Sequence, residues 1–425
     1  MKELLIEPQI DSFDTFAEFA DEFSLGGKDL ILTNEYIYDP IMKKEDLDCS
    51  YIFQENYGPG EPTDVMVDAI LREINELDIK RVVAVGGGTI IDIAKILVLE
   101  GAENVDVLYD KKELAKSKEL IIIPTTCGTG SEVTNISIIN RTRKGTKMGL
   151  TSPAMFADYA VLIPEFLKTL PYYVFASSSI DALIHAVESY LSPICTDYTE
   201  MFSVEAMKGI LSGYCRIAKT GENVRFADSK MYLKASNYAG IAFGNSGCAA
   251  VHAMSYALGA KYHVPHGESN YQFFTDVLRK YQEKKPEGKI KKLNNLIRRI
   301  ADENGFSGAA GIEDGIEILE KLLAEVLTRK DMKDYGVTEA DIPVFAASTV
   351  ENQQRLLKNN YVPLTQEEIQ EIYQPDYNKM EAVNLRDKLP ESLTGNYIRS
   401  CNTKKNKKGE KYYGRQMVDN RLSTN

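Results

Sequence analysis

The chain lacks the features that would place it in a membrane, in a disulfide-built fold or on a nucleic acid. No apolar run approaches the length that crosses a bilayer. The opening residues, MKELLIEPQIDSFDTF, interleave acids too closely for a signal peptide. Six cysteines (Cys49, Cys127, Cys195, Cys215, Cys248 and Cys401) are scattered with no C-x-x-C pair, which argues against a zinc knuckle or a disulfide framework and for a reducing cytoplasm. Basic residues are outnumbered, 50 Lys and Arg against 62 Asp and Glu, and the net charge of −12 repels phosphate backbones. The expectation is therefore a cytoplasmic protein with neither nucleic acid nor membrane as partner. Histidine is the scarcest informative residue: four in the chain, all between His185 and His266. Such a gathering of imidazoles raises the question of metal or proton chemistry.

What is present suffices for large cores. The 425 residues are 44% hydrophobic, enough for two or three domains. Short β-rich runs at 29–33, 81–85, 105–108, 120–123 and 159–163 alternate with helical spacing over 64–77 and 90–99, the pattern of a parallel sheet covered by helices. A hairpin over 137–140 and 147–151, around the turn RTRKG, is expected to attach to that sheet. Beyond Pro164 the strand signals stop, and 180–191, 201–218 and 290–304 read as helices. The expected organisation is an α/β domain over 1–165, an all-α domain over 166–376, and a lysine-rich tail over 377–425 in which NTKKNKKGEK reads as solvated.

Two stretches suit phosphate. In RVVAVGGGTIIDIAK a strand runs through Gly86, Gly87 and Gly88 into a helix, and the free N–H groups of that helix would face an anion. It is not the G-x-G-x-x-G fingerprint, and a ligand-free βα turn would have the same glycines. In ELIIIPTTCGTGSEVTN, Thr125, Thr126, Thr129 and Ser131 gather hydroxyls on a second loop, as ribose and phosphate oxygens require or as a self-bonded turn would show. Two such loops at the C-terminal ends of parallel strands is where these sheets bind ligands. Lys147 would add a charge there or lie in solvent.

Two further stretches suit a metal. Asp181 and His185, four apart in SSSIDALIHAVESYLS, share one polar stripe with Glu188, although Ser178 and Asp181 would equally fit a capping box. His252 and His266 are fourteen residues apart, about 21 Å along a continuous helix, unless Gly259 and Pro265 turn the chain back. His263, beside Pro265, would serve as a proton relay or as a structural group. One oxygen and three nitrogens suit Fe2+ or Zn2+.

Taken together, GGGTIIDIAK, PTTCGTGSEVT, DALIHAVESYLS and HAMSYALGAKYHVPHG resemble the four signature stretches of the iron-containing alcohol dehydrogenases, in the same order and over residues 5–375. The resemblance implies a dehydroquinate synthase-like fold: an α/β nucleotide-binding domain followed by an all-α metal-binding domain. It implies one divalent metal, Fe2+ with Zn2+ as the alternative, on Asp181, His185, His252 and His266. It implies NAD, with NADP as the alternative, on Gly86, Gly87, Gly88, Thr89 and Asp92 and on Thr125, Thr126 and Thr129, with Lys147 near the nicotinamide riboside. SNYAGIAFGNSG, YHVPHGESNYQFF and QQRLLKNNYVP look most like the clostridial 4-hydroxybutyrate dehydrogenase branch. That branch implies a fermentative homo-oligomer interconverting a small alcohol and its aldehyde, 4-hydroxybutyrate and succinate semialdehyde. Lys261, Arg355 and Lys358 are then candidates by type for the substrate carboxylate. The alternatives are another primary alcohol such as butanol or propanediol, or a non-redox lyase of the dehydroquinate synthase type.

Two departures stand out. Tyr256 occupies a position that is histidine in many members, which makes it, with His263, a candidate for passing the proton. Asn34 stands at the cofactor position where NAD-preferring members carry an aspartate against a 2′-phosphate; Glu35 after it would still accept from the ribose, so NAD with loose discrimination against NADP is expected.

Overall fold

A computed structural model describes residues 2–374. The tail expected over 377–425 lies outside the described residues. Eight strands occur among the described residues: β1 (Gln9–Ser12), β2 (Asp29–Thr33), β3 (Ser50–Phe53), β4 (Arg81–Gly86), β5 (Glu119–Pro124), β6 (Ile136–Arg141), β7 (Thr146–Thr151) and β8 (Tyr159–Leu162). Six of them form one parallel sheet in the order β1-β8-β5-β4-β2-β3. The central strands read as continuous apolar runs because helices cover both faces. On one face lie the helices Asp64–Ile74 and Gly88–Leu97. Asp64–Ile74 starts where the Thr63 hydroxyl accepts from the Met66 amide.

Three sequence expectations change. Val105–Asp110 is a helix, not a strand. Asn104 caps it by accepting from the Val107 amide, and the Val105 amide donates to Asp68 Oδ1 at 2.7 Å. The β6–β7 hairpin is a separate two-stranded sheet, joined to its surroundings by an isolated Thr63–Asn140 bridge and by contacts such as the Ile138 amide with Asp92. Two strands, β1 and β3, carry no sequence signal. Both are four-residue edge strands with mostly accessible side chains, where burial imposes no pattern.

After β8 every regular element among the described residues is helical. Tyr172–Leu191 is almost wholly buried, Asp197–Thr220 and Ser229–Ser246 pack against it, and Ala250–Tyr262 and His266–Tyr271 complete the surroundings of its polar stripe. No helix among the described residues is long and apolar enough to cross a membrane.

Candidate active site

The register of β4 on β5 sets Gly86 opposite Pro124, so the two loops leave the sheet side by side. The Thr125 amide donates to the Gly86 carbonyl at 3.1 Å. The helix Gly88–Leu97 begins at Gly87 with no side-chain cap, leaving its first N–H groups free for an anion. Gly87, Gly88 and Thr89 are partly accessible, as are Thr126 and Thr129; Thr125 is buried. The Thr89 hydroxyl donates to the Gly60 carbonyl at 3.2 Å, and Thr129 Oγ1 accepts from the Ser131 amide.

Asp92 has a different environment from a simple ligand contact. Its carboxylate accepts from Ser131 Oγ at 3.1 Å and from the Ile138 amide at 2.9 Å, tying the first helix to the second loop and the hairpin. Lys95, which sequence reasoning passed over, lies beneath both loops with no exposure. Its ammonium donates to Ser131 Oγ (2.7 Å), Thr134 Oγ1 (3.1 Å) and the Ile136 carbonyl (2.8 Å). Burial pushes it down to about 8, against the opposing pull of Asp92 and Glu132.

Asn34 follows β2 directly, but its side chain is buried and donates to Gln54 Oε1 at 3.2 Å and Glu55 Oε2 at 2.7 Å. Two carboxylates are accessible here, those of Glu35 and Glu55, and Glu55 also accepts from the Glu35 amide at 2.7 Å. No periodicity signals Glu55; only the pairing of β2 with β3 brings it to Asn34.

The metal candidates converge. Asp181, His185 and Glu188 fall on one face of Tyr172–Leu191 at i, i+4 and i+7, all three buried to 5% exposure or less. Ser178 sits well inside that helix, which begins after Pro171, so the capping-box alternative does not occur. Glu188 organises the second half of the cluster. Its two oxygens accept from the amides of Ala249 (2.9 Å) and Val251 (2.7 Å) at the start of the helix Ala250–Tyr262. Its Oε2 also lies 2.6 Å from His252 Nδ1.

The return to His266 differs in detail from expectation. The helix runs through Gly259 and stops at Tyr262, because His263 adopts a left-handed conformation (φ 54°). Pro265 then starts the short helix His266–Tyr271. Gly267 allows the close approach: a Cβ there would lie 2.3 Å from the Ser177 carbonyl oxygen. His263 itself is exposed in the turn.

The result is a compact donor set. Asp181, His252 and His266 offer ligand atoms within 4.8 Å of one another. His252 Nε2 lies 2.9 Å from His185 Nε2 and 3.7 Å from Asp181 Oδ1, and His266 Nε2 lies 4.0 Å from Asp181 Oδ1. Asn270, unremarked in the sequence, donates from Nδ2 to Asp181 Oδ1 at 2.7 Å and lies 3.2 Å from His266 Nε2. Phe243 stacks on His185 with ring centroids 4.2 Å apart. The Tyr256 ring stacks on His266 at 6.3 Å, and Lys147, ion-paired with Glu61 at 2.8 Å, reaches over the Tyr256 ring at 5.7 Å. Lys261 is paired with Asp341 and is not a free cation.

Electrostatics favour a cation here. Burial drives His185 down to about 3, outweighing the pull of Asp181. His266 is also lowered by desolvation, although 36% of its side chain is accessible. Burial opposes ionisation of Asp181, but His185, His266 and His252 hold it below the ordinary carboxylate range. Burial also opposes charge on His252, and Cys248 and Glu188 overcome it, raising that imidazole. With Nδ1 of His185 against the Gly128 carbonyl (3.3 Å) and Nδ1 of His252 against Glu188, each ring directs its Nε2 into the cluster. Without an ion the His252 Nε2–H can donate to the His185 Nε2 lone pair across the 2.9 Å; an ion bound by both nitrogens would take the place of that proton. The donor chemistry thus fits a divalent metal.

Residues 11–164 match the family model for iron-containing alcohol dehydrogenase, and residues 175–377 match that for the C-terminal part of the Fe-containing alcohol dehydrogenase family. The chain is 48% identical over 380 residues to the 4-hydroxybutyrate dehydrogenase of Clostridium kluyveri, covering 89% of this chain and all of that one. It is 32% identical over 372 residues to long-chain-alcohol dehydrogenase 1 of Geobacillus thermodenitrificans, covering 82% of this chain and 90% of that one. Similar solved folds include 1,3-propanediol oxidoreductase (TM-score 0.74, 22% identity, 88% of this chain and 99% of that one). Another is the sulfoacetaldehyde reductase of Bifidobacterium kashiwanohense in complex with NAD+ (TM-score 0.73, 21% identity, 88% and 98%). With both family models matched over most of its length, the chain belongs to the iron-containing alcohol dehydrogenase family.

Proposed function

We propose that this protein is a metal-dependent, NAD-linked dehydrogenase interconverting 4-hydroxybutyrate and succinate semialdehyde. The observation that carries the chemistry is the pair of Nε2 atoms of His185 and His252, directed at each other 2.9 Å apart beside Asp181. The substrate rests on the 48% identity to the clostridial enzyme. Residues 1–165 form the nucleotide-binding part and 166–376 the helical metal-binding part.

Asp181, His185, His252 and His266 hold one divalent ion, Fe2+ first and Zn2+ second by donor type. When bound, the ion supplies a Lewis acid for the alcohol or carbonyl oxygen, and the nicotinamide supplies the hydride acceptor or donor. The chain does the rest. Gly86, Gly87, Gly88 and Thr89 receive the pyrophosphate at an uncapped helix start, with Thr125, Thr126 and Thr129 offering hydroxyls from the adjacent loop. Asp92 and Lys95 fix those two loops to each other. Glu188 and the Gly128 carbonyl set the ring orientations of His252 and His185. Tyr256, against His266 and beneath Lys147, is placed to pass the alcohol proton toward water; exposed His263 would serve further out. The acidic composition and scattered cysteines support a cytoplasmic location. Exposed Ile194, Tyr198 and Met201, close together in sequence, support a homo-oligomer.

The deciding experiment is turnover by anaerobically purified protein with metal analysis. Net NADH from 4-hydroxybutyrate and NAD+, proportional to bound metal, is expected. NAD-dependent conversion without net NADH would instead indicate the dehydroquinate synthase type of reaction.

A further inference from the structure

Cys248 lies beside the ligand cluster, and nothing in the dehydrogenase reading uses it. It is buried in the turn that leads into the helix of His252. Its backbone is pinned there: Asn359 Nδ2 donates to the Cys248 carbonyl at 2.9 Å, and Gly247 before it has φ 74°. Phe243, Tyr256, Ala253 and Leu356 pack around it. The sulfur and one ring nitrogen from each of His185 and His252 lie within 4.8 Å of one another, and all three residues are buried. Donors bound at about 2.0–2.3 Å to a tetrahedral ion sit roughly 3.3–3.8 Å apart, so a modest contraction would close this set on one ion.

We propose that His185, Cys248 and His252 form a second metal seat that overlaps the first and selects thiophilic ions such as Cd2+. The inference rests on the reading of this cluster as a metal centre. Asp181, His252 and His266 make a seat of one oxygen and two nitrogens, whereas this one has two nitrogens and a sulfur. The two seats exclude each other. His252 Nδ1 is committed to Glu188, so its Nε2 serves one ion at a time. Binding converts Cys–SH and M2+ to a Cys–S–metal bond with release of one proton to solvent, and no electrons move. An ion held there leaves Asp181 and His266 unligated, so thiophilic metals inhibit by displacing the working ion sideways.

The test is Cd2+ titration of metal-stripped full-length protein, followed by thiolate-to-metal charge-transfer absorption. The wild type should develop the band to saturation at one equivalent, Cys248→Ser should lose it, and Asp181→Asn should keep it. Loss of an outer-shell partner alone weakens metal sites roughly 10–100-fold, so Cys248→Ser should weaken Cd2+ binding by at least about tenfold. A band that persists in Cys248→Ser, arising from another cysteine, overturns the proposal. Should that variant fail to fold, X-ray absorption at the cadmium edge of the wild type decides: sulfur in the shell supports the seat, and a shell of only oxygen and nitrogen overturns it. Failure of Fe2+ to bind would count against the dehydrogenase reading, whereas absence of sulfur around Cd2+ counts against the second seat alone.

Discussion

Glu188 Oε2 stands 2.6 Å from His252 Nδ1 while the same carboxylate accepts two amide N–H groups from the start of the helix that carries His252. One side chain therefore sets both the position of the helix and the rotation of the ring. Without it the imidazole could turn, and the Nε2 lone pair would leave the cluster. Glu188→Gln should lower divalent-metal affinity by roughly 10–100-fold, the usual cost of losing an outer-shell carboxylate. Chelator competition measures this; an unchanged affinity would show that Glu188 serves only the fold.

His266 reaches the cluster through the turn at His263 and the close approach at Gly267. His266→Ala should lose bound metal and turnover together, while secondary structure is retained. A variant with full metal occupancy and normal kcat would remove His266 from the ligand set.

The position after β2 behaves differently from expectation. Asn34→Asp would set a second carboxylate against Glu55 and remove a buried donor, at a cost of about 1–3 kcal/mol. It should lower the unfolding midpoint rather than sharpen the choice of NAD over NADP. Glu55→Gln should instead relax that choice, read as the ratio of kcat/KM for the two cofactors. A sharpened preference in Asn34→Asp with unchanged stability would restore Asn34 as the ribose contact.

Lys95→Met would break three hydrogen bonds and strip the cation from between Asp92 and Glu132. Removing one partner of a buried charge set costs about 3–5 kcal/mol. Denaturant midpoints should fall accordingly, and KM for NAD should rise as the two loops lose their common tie. A variant of unchanged stability and unchanged KM would show the ammonium to be dispensable.

Succinate semialdehyde should be reduced roughly ten- to a hundredfold better than butanal in kcat/KM, as one charge-assisted hydrogen bond of about 1.5–3 kcal/mol implies. Lys261 is not expected to carry that preference, since Asp341 already neutralises it. Lys261→Met should leave the ratio of the two aldehydes unchanged. Equal use of both aldehydes by the wild type would defeat the substrate proposal and leave the family assignment intact.

The parts of this molecule that sequence reveals are those where one local rule decides. Continuous apolar runs announce β2, β4 and β5, and glycine after β4 announces the turn. Val105–Asp110 misleads because Val105 and Leu108 are buried for tertiary reasons, with Asp68 and Asn104 satisfying the helix start. In the site, Asp181 and His185 share a helical face by spacing alone. Glu188 is on the same stripe, yet its role needs the amides of Ala249 and Val251, sixty-odd residues away. Asn270 and Glu55 are equally silent, since each acquires its partner through a chain reversal or a strand pairing that no local period encodes.

Gly128 closes the loop of threonines, and its carbonyl is also the acceptor facing His185 Nδ1. A Cβ at that position would lie 2.6 Å from the Ser178 carbonyl oxygen, so the loop backbone packs directly on Ser178 of the helix. A displacement of the threonine loop is thereby passed on to the imidazole. A nicotinamide held by the threonine loop and an ion held by His185 would take their positions from one shared benchmark, so positional error would be common to both instead of accumulating between them.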